Sequence, residues 1–237
     1  MTVDNQLPWS DRWKLPLRSG IVHPPNTRPR CFCQDPLEFL PRALTKMYSI
    51  WVSLIYPFAS KGRKMSFHFT SQLDRQRASR ISLGNSVSLR KGAWLNVADE
   101  NTEGDPAIVI EDNCAIGTDS IISAKNCIHI EHDVLIAQSV LIVDHNHAYE
   151  DINVPIVKQG ITEGGRIRIG QGSWIAHGAA ILCPKGELTI GRNCIVAANS
   201  VVTRSIPDYC LVAGLPARIM RQYDPVKKAW RIGRMKP

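Results

Sequence analysis

Residues 169–202 read IGQGSWIAHGAAILCPKGELTIGRNCIVAANSVV, and an aliphatic residue recurs there at six-residue spacing within each of two triads. These triads are Ile169, Ile175 and Ile181, then Ile190, Val196 and Val202. Three more precede them: Leu83, Leu89 and Leu95; Ile110, Ile116 and Ile122; and Ile130, Ile136 and Ile142. Six residues is too short a unit for a helical repeat. The period therefore predicts an all-β chain, a parallel β-helix of about five coils with three short strands to a coil.

The period is interrupted only after the third aliphatic residue of a triad. Leu95 and Ile110 are fifteen residues apart, and the longest break separates Ile142 from Ile169 by twenty-seven residues. Every insertion is therefore expected to leave the same edge of the triangular coil. Insertions confined to one face of a repeat protein usually mark its binding face. We expect the chemistry at this edge, in a loop at 144–165.

Small residues often stand two positions before the aliphatic one, as Cys114, Ser173 and Cys194 do. Alternation along a strand points both positions into the narrow coil, where only one can be large. These cysteines are therefore expected in the core, and the seven cysteines of the chain suggest no disulfide pattern. Cys31 and Cys33 lack a second cysteine pair, so no metal site is predicted and their role is left open.

The net charge of +8 is concentrated in residues 61–91 and in the tail from Arg218. Basic ends favour phosphate groups or an anionic membrane surface as partners. Nucleic acid is not expected, because the chain has no nucleic-acid-binding motif. The N-terminal residues lack an apolar signal core, so the expected location is the cytoplasm, with a possible peripheral place at the inner face of the membrane.

Three regions are expected along the chain. Residues 1–80 form an N-terminal extension that is partly irregular and is helical within 37–58. Its apolar run, Met47–Phe58, is too short to span a bilayer, and it either lies at the membrane interface beside the bases of 47–64 or packs on the coil or a neighbouring subunit. Residues 81–206 form the β-helix, and residues 207–237 form a cap with a short C-terminal helix at 217–230 and a basic tail.

Four segments resemble one family: GQGSWIAHGAAI, IGRNCIVAANSVVTRSIP, VAGLPARIM and DHNHAYED. They are similar to the hexapeptide-repeat acyltransferases, above all to those that O-acetylate sugars and polysaccharides. The resemblance implies a left-handed coil, acetyl-CoA as co-substrate and a homotrimer with active sites between subunits. The general rule for parallel crossovers would predict the opposite hand.

The resemblance also implies the site residues. Acetyl transfer to a hydroxyl needs a base of near-neutral pKa, and the family's base corresponds to His145, with His147 as the second choice. Asp144, Glu150 and Asp151 are near enough in sequence to hold the imidazole, and a backbone carbonyl would also serve. The residues expected to contact the acceptor are Asn96, Asp144, His147 and Trp174.

The donor is expected along the later coils. Trp174 is large for an outward strand position and lines the groove in the family, while Ala176 and Ala198 leave room for a pantetheine arm. Cations then meet the nucleotide phosphates. The predicted cofactor-binding residues are Trp174, Ala176, Ala198, Thr203, Arg204 and Arg218. His177 departs from the small polar residue that the family often has.

The leading hypothesis is an acetyl-CoA-dependent O-acetyltransferase for a sugar of a surface polysaccharide, of a lipopolysaccharide or of its lipid-linked precursor. A second enzymatic alternative is an acetyltransferase for serine or an amino sugar. A third is a non-enzymatic solenoid or a zinc protein like the γ-carbonic anhydrases. The histidines that keep the zinc alternative open are His129, His132, His145, His147 and His177.

Overall fold

The computed structural model describes residues 39–98 and 104–232, so Cys31 and Cys33 lie outside the described residues. Helix α1 is Phe39–Ile55, as the apolar run predicted, and two short 3₁₀ turns are Ala78–Arg80 and Ile156–Lys158. All other regular structure in the described ranges is β-strand.

The strands form three sheets, which are the three sides of a coil. Sheet A contains β1 (Ser60–Lys61), β4 (Ile81–Leu83), β7 (Ile108–Ile110), β10 (Cys127–Ile130), β13 (Gly164–Ile169) and β16 (Lys185–Ile190). Sheet B contains β2 (Ser66–Phe67), β5 (Ser88–Leu89), β8 (Ala115–Ile116), β11 (Leu135–Ile136), β14 (Trp174–Ile175), β17 (Ile195–Val196), β19 (Cys210–Gly214), β20 (Ala217–Asp224) and β21 (Ala229–Ile232). Sheet C contains β3 (Gln72–Leu73), β6 (Trp94–Val97), β9 (Ile121–Ala124), β12 (Leu141–Val143), β15 (Ala180–Leu182) and β18 (Val201–Val202).

The aliphatic triads form the core. In sheet A, Leu83, Ile110, Ile130, Ile169 and Ile190 stack in register on parallel strands and are at most 1% exposed. Equivalent columns fill the other two sides. Each such side chain stabilises the fold by about 1.5–3 kcal/mol on burial. The prediction of a parallel β-helix is thus confirmed.

The small inward residues are also buried as predicted. Cys114, Ser173 and Cys194 are at most 1% exposed. Burial raises the pKa of the Cys114 thiol to about 11, so this group stays protonated at neutral pH and serves as a core group.

The insertions leave one edge, as expected. Each long connection joins a sheet C strand to the next sheet A strand, as β12 to β13 and β6 to β7 do. We call this corner the C–A edge. The corner where sheet B strands lead into sheet C strands is the B–C edge, and its turns are short.

The coil begins earlier than predicted. Strands β1, β2 and β3 form a first coil inside the presumed extension, so the structure has six complete coils rather than about five and starts near residue 60 instead of 81. Lys61, Phe67 and Leu73 keep the six-residue spacing and pair with the triad of the second coil. Lys61 stands where an aliphatic residue was expected, because the stack ends there and the position is exposed.

The predicted C-terminal helix is wrong. Residues 217–224 and 229–232 are strands β20 and β21, an antiparallel hairpin that continues sheet B from β19. Pro225 would interrupt a helix at this place. The hairpin covers the open edge of β19, and Tyr223 packs edge-on against Trp230 with their ring centroids 5.6 Å apart.

The outer faces of the sheets differ in polarity. Outward positions of sheet A are mostly polar or charged, with Val109 as an apolar member; Glu111 at the end of β7 lies 2.7 Å from His129 Nε2, and Glu131 at the end of β10 pairs with Arg168. The outward columns of the other two sheets begin with Ser66, Ser88 and Gln72 and are apolar beyond these residues. The apolar members are Ala115, Leu135, Trp174, Ile195 and Leu211 in sheet B, and Trp94, Ile121, Leu141, Ala180 and Val201 in sheet C. Two adjacent faces of the prism are therefore suited to contact other protein surface.

Candidate active site

His145 lies at the C–A edge, two residues past the end of β12. Its side chain is 12% exposed, and its Nδ1 lies 3.0 Å from Asp144 Oδ1. Because the ladder of sheet C fixes β12, the loop that carries His145 starts from a rigid element. The imidazole is therefore held in one orientation while part of its surface reaches solvent.

Asp144 is fully buried beneath this histidine. Besides His145, its carboxylate accepts hydrogen bonds from three consecutive backbone N–H groups where β9 leads into β10, those of Lys125, Asn126 and Cys127, at 2.7, 2.9 and 3.0 Å. Four donors satisfy a carboxylate that would be costly to bury alone. The eight-residue spacing from Ile122 to Ile130 leaves room for the turn that supplies them.

The arrangement assigns the tautomer of the imidazole. An ionised carboxylate only accepts hydrogen bonds, so Nδ1 of His145 carries the proton that it donates to Asp144. The lone pair is then on Nε2, for which the described residues provide no hydrogen-bond partner. A neutral imidazole held in this way can accept a proton from a hydroxyl group that reaches the C–A edge.

The 124–127 turn also holds the far end of the histidine loop. Lys125 Nζ donates to the Thr162 carbonyl at 2.6 Å, and Asn126 Nδ2 donates to the Glu163 carbonyl at 2.8 Å. Nearer the histidine, Thr162 N–H donates to the Asn146 carbonyl at 2.8 Å. Both ends of the loop are thus tied to the coil, while its tip exposes Ile152 and Val157.

The structure separates the other predicted acceptor residues. Asn96 lies on sheet C toward the same edge, two strands before Val143, and its Nδ2 donates to Ser123 Oγ at 2.8 Å. His147 is exposed and pairs through its backbone with Ile161. Asp144, also predicted to contact the acceptor, has a carboxylate with no exposed surface in this geometry, which does not favour direct contact.

Of the candidates for holding the imidazole, Asp144 is the one in contact with it. Glu150 instead accepts a hydrogen bond from the backbone N–H of Tyr149, and Asp151 from that of Asn153. Both contacts are local to the exposed part of the loop.

A groove of about 840 Å³ runs along the outer face of sheet B toward the B–C edge. Three predicted residues, Trp174, Ala176 and Ala198, line it together, and His177 joins them. Trp174 is 45% exposed, Ala198 is exposed and Ala176 is nearly buried. The structure thus brings these predicted donor-side residues into one cleft.

Sequence reasoning missed several residues of the groove. They are Arg90, Ala115, Leu135, Ala137, Gln138, Ile195 and Leu211. The repeat carried a usable signal, since the position just before the aliphatic residue on the second side of each coil points outward. Ala115, Leu135, Trp174 and Ile195 all occupy that position, so the register alone places them in one column.

Thr203, Arg204 and Arg218 lie apart from the groove lining. Thr203 and Arg204 follow β18 at the C–A edge, and both are exposed. Arg218 is exposed on β20, where its backbone pairs with Ala213 of β19. The predicted phosphate contacts are therefore divided between two parts of the surface.

The histidine side chains that kept a zinc site open are not grouped around one point. His129 is bound to Glu111, His132 to Asp133 and His145 to Asp144. Among the described residues no group of three His, Cys, Asp or Glu side chains is placed to hold a metal ion. No described helix is long and apolar enough to cross a membrane.

Comparison with known proteins shows which proteins the repeats of this chain resemble. Residues 107–138 and 188–204 match the family model "Hexapeptide repeat of succinyl-transferase". The chain is 34% identical over 139 residues to "Probable acetyltransferase Rv3034c" of Mycobacterium tuberculosis, covering 57% of this chain and 44% of that protein. It is 33% identical over 133 residues to "Putative lipopolysaccharide biosynthesis O-acetyl transferase WbbJ" of Escherichia coli, covering 54% and 66%. The chain thus spans about half the length of the curated relatives it matches.

The fold is shared with a solved structure, that of AntD, an N-acyltransferase from Bacillus cereus in complex with dTDP and 3-hydroxybutyryl-CoA. The TM-score is 0.59 at 17% identity, and the match covers 76% of this chain and 90% of AntD. Together these findings define a hexapeptide-repeat protein. The chain carries the hexapeptide repeat of this family model, and the curated relatives that it resembles are named acetyltransferases.

Proposed function

We propose that the protein is an acetyl-CoA-dependent O-acetyltransferase acting on a sugar hydroxyl of a surface polysaccharide, of a lipopolysaccharide or of its lipid-linked precursor. The observation that carries the proposal is the pair formed by His145 and Asp144, which leaves Nε2 available as a base at the edge where the insertions lie. The relative named for lipopolysaccharide O-acetylation supports the choice of acceptor class.

In the proposed reaction His145 Nε2 accepts the proton of the acceptor hydroxyl as its oxygen bonds to the thioester carbonyl carbon. Asp144 stabilises the imidazolium that forms. The C–S bond then breaks, and Nε2 returns the proton to the leaving sulfur. The products are the acetyl ester and coenzyme A with a free thiol, so atoms and charges balance.

The groove on sheet B suits the donor. Its lining is mainly apolar, with small residues at Ala137, Ala176 and Ala198 that permit close approach of a slender chain. An extended pantetheine arm needs such a surface together with exposed backbone groups. Arg204 and Arg218 remain the proposed phosphate contacts.

The division of the site supports a homotrimer. In one protomer His145 lies at the C–A edge, whereas the groove lies on sheet B and reaches the B–C edge. In the sixth coil a turn at Ala198 and Asn199 and the strand β18 separate these edges, a distance of at most roughly 16 Å for the five residue steps to Thr203. We propose that the C–A edge of one protomer faces the groove of the next. The apolar faces of sheets B and C and the exposed tip of the 144–165 loop would be covered there.

Two further assignments accompany the proposal. The coil is proposed to be left-handed, in line with the family. The cytoplasm is proposed as the location, since acetyl-CoA is available there and the described cysteines are free thiols.

The test is an acceptor panel. Purified protein is mixed with acetyl-CoA, and thiol release is followed on addition of sugars, polysaccharide fragments, lipid-linked glycans, serine or amino sugars. Release with hydroxyl acceptors and recovery of an acetyl ester are expected. Turnover only with serine or an amino sugar would favour the second enzymatic alternative, and no turnover with any acceptor would favour a non-enzymatic solenoid.

A further inference from the structure

Helix α1 rests on the first coil by its less hydrophobic side. Ser49 Oγ accepts a hydrogen bond from Phe67 N–H at 2.8 Å, and Val52 is fully buried. Tyr48 and Tyr56 direct their hydroxyls to the carbonyls of Ser71 and Leu73. These contacts anchor the helix at the N-terminal end of the prism.

The opposite side of the helix is strongly hydrophobic and faces outward. Leu40, Leu44, Met47, Trp51 and Leu54 follow one another at spacings of four and three residues, which places them in one stripe. Met47 is 67% exposed and Leu54 75%. Ile50 and Ile55 widen the stripe. A helix that only capped the coil would have its apolar side turned inward, so this stripe is suited to a second, apolar environment.

The charge around the stripe has one sign. No Asp or Glu occurs between Phe39 and Leu73. Basic residues in the same segment are Arg42, Lys46, Lys61, Arg63 and Lys64. Lys46 lies seven residues before Ser53 on one flank of the helix, and Lys61 Nζ donates to the Ser53 carbonyl at 2.6 Å. This hydrogen bond holds a basic residue of the first coil beside the apolar stripe of the helix.

We propose that helix α1 and the first coil form a docking surface for an anionic lipid bilayer. A helix with an apolar face bordered by Lys and Arg lies in the interface of such membranes, with its aromatic groups at headgroup depth. A second copy of the chain is the less favoured occupant, because its own segment would bring the same positive charge to the contact. This inference goes beyond the proposed enzymatic activity and does not depend on it.

The experiment is co-sedimentation of the full chain with vesicles. The vesicles consist of phosphatidylcholine alone or mixed with phosphatidylglycerol, and each is tested at low and high salt. We expect binding to the mixed vesicles at low salt and less binding at high salt or to the neutral vesicles. Protein that stays in the supernatant with anionic vesicles at low salt would overturn the proposal.

Two variants separate the contributions. The double variant Met47→Glu with Leu54→Glu removes apolar contact and adds negative charge on exposed positions, and should lower the bound-to-free ratio about tenfold or more. The matched control, Val226→Glu with Ile232→Glu, makes the same charge change at exposed positions of the C-terminal hairpin and should bind like the wild type.

A second variant keeps the apolar stripe intact. Lys46→Gln with Arg63→Gln should weaken binding to anionic vesicles and leave the weak binding to neutral ones unchanged. Light scattering of every variant follows the oligomer. A helix variant that binds vesicles like the wild type would overturn the proposal that the stripe contacts the membrane. A helix variant that changes the molecular mass, while the wild type ignores vesicles, would show that the stripe is a subunit contact instead.

Discussion

At the scale of single residues, the central group is the imidazole of His145. As general base it should contribute about 10²–10⁴-fold to turnover, so His145→Ala should lower turnover by that factor. Binding of acetyl-CoA should change little, because Nε2 faces the acceptor. The measurement is steady-state kinetics together with calorimetric titration of coenzyme A.

His147→Ala is the matched control for this change. His147 is exposed on the same loop, and its side chain makes no contact with the Asp144 carboxylate, so its loss should be milder. If His147→Ala is inactive while His145→Ala keeps near-normal turnover, then His147 is the base and the assignment to His145 is wrong.

Asp144→Asn tests the support of the base. The amide nitrogen cannot accept the hydrogen bonds that the second carboxylate oxygen accepts, and a buried mismatch of this kind costs about 1–3 kcal/mol. The variant should therefore unfold at lower temperature and lose turnover at least about tenfold, since the tautomer of His145 is no longer set. Thermal unfolding and kinetics measure the two effects.

Asp151→Asn serves as the comparison for this variant, because Asp151 is an exposed loop carboxylate that was an equally good candidate on sequence. Equal loss of activity in both variants would contradict the role given to Asp144.

The role of Asp144 also shows a limit of sequence reasoning. The repeat predicted the edge of the coil at which the structure has His145. The repeat and the family resemblance left three carboxylates open as its partner and assigned Asp144 to the acceptor. The donors that decide the matter are backbone groups seventeen to nineteen residues earlier, from Lys125 to Cys127. Backbone N–H groups leave no residue-type signal, so the turn between β9 and β10 could not be recognised from the sequence as their source.

At the scale of elements, the sheets were predictable where side chains alternate strictly. The aliphatic triads gave the three sides, the inward faces and the edge of the insertions. The first coil was not predicted because Lys61 replaces the aliphatic residue at the exposed end of the stack. The C-terminal hairpin was predicted as a helix because short amphipathic segments fit helix and strand patterns equally well. Its strand structure depends on pairing with the open edge of β19, which the sequence of the hairpin does not reveal.

The groove on sheet B gives a prediction at this scale. Ala198→Leu adds a bulky side chain at an exposed position of the lining, so it should raise the KM for acetyl-CoA about tenfold, equivalent to about 1.4 kcal/mol of lost binding. Turnover at saturation should change less.

Ala229→Leu on the exposed strand β21 makes the same change outside the groove and should leave the KM unaltered. A folded Ala198→Leu variant with unchanged kinetics would show that acetyl-CoA does not bind in this groove.

At the scale of the whole molecule, the apolar faces of sheets B and C give a prediction about assembly. Light scattering should find a mass about three times the 26.4 kDa of one chain. Leu135→Glu introduces a charge into the proposed contact on sheet B and should lower this mass, because an unpaired buried charge is costly.

Val109→Glu on the outward face of sheet A is the comparison, and it should preserve the assembly. A wild-type chain that is monomeric and fully active would exclude sites shared between protomers.

The stacking of coils fixes distances along the axis of the prism in equal steps. Each coil advances the chain by one strand spacing, about 4.8 Å, along the axis of the prism. His145 follows the fourth coil, so it stands three spacings, roughly 14 Å, above the first coil on which helix α1 rests. Because coils contact only their neighbours, a coil added or removed below the third would change this height by one step and leave the site itself intact. The height of the base above that end, and hence the length of a tethered acceptor that reaches it, is therefore set in whole coils.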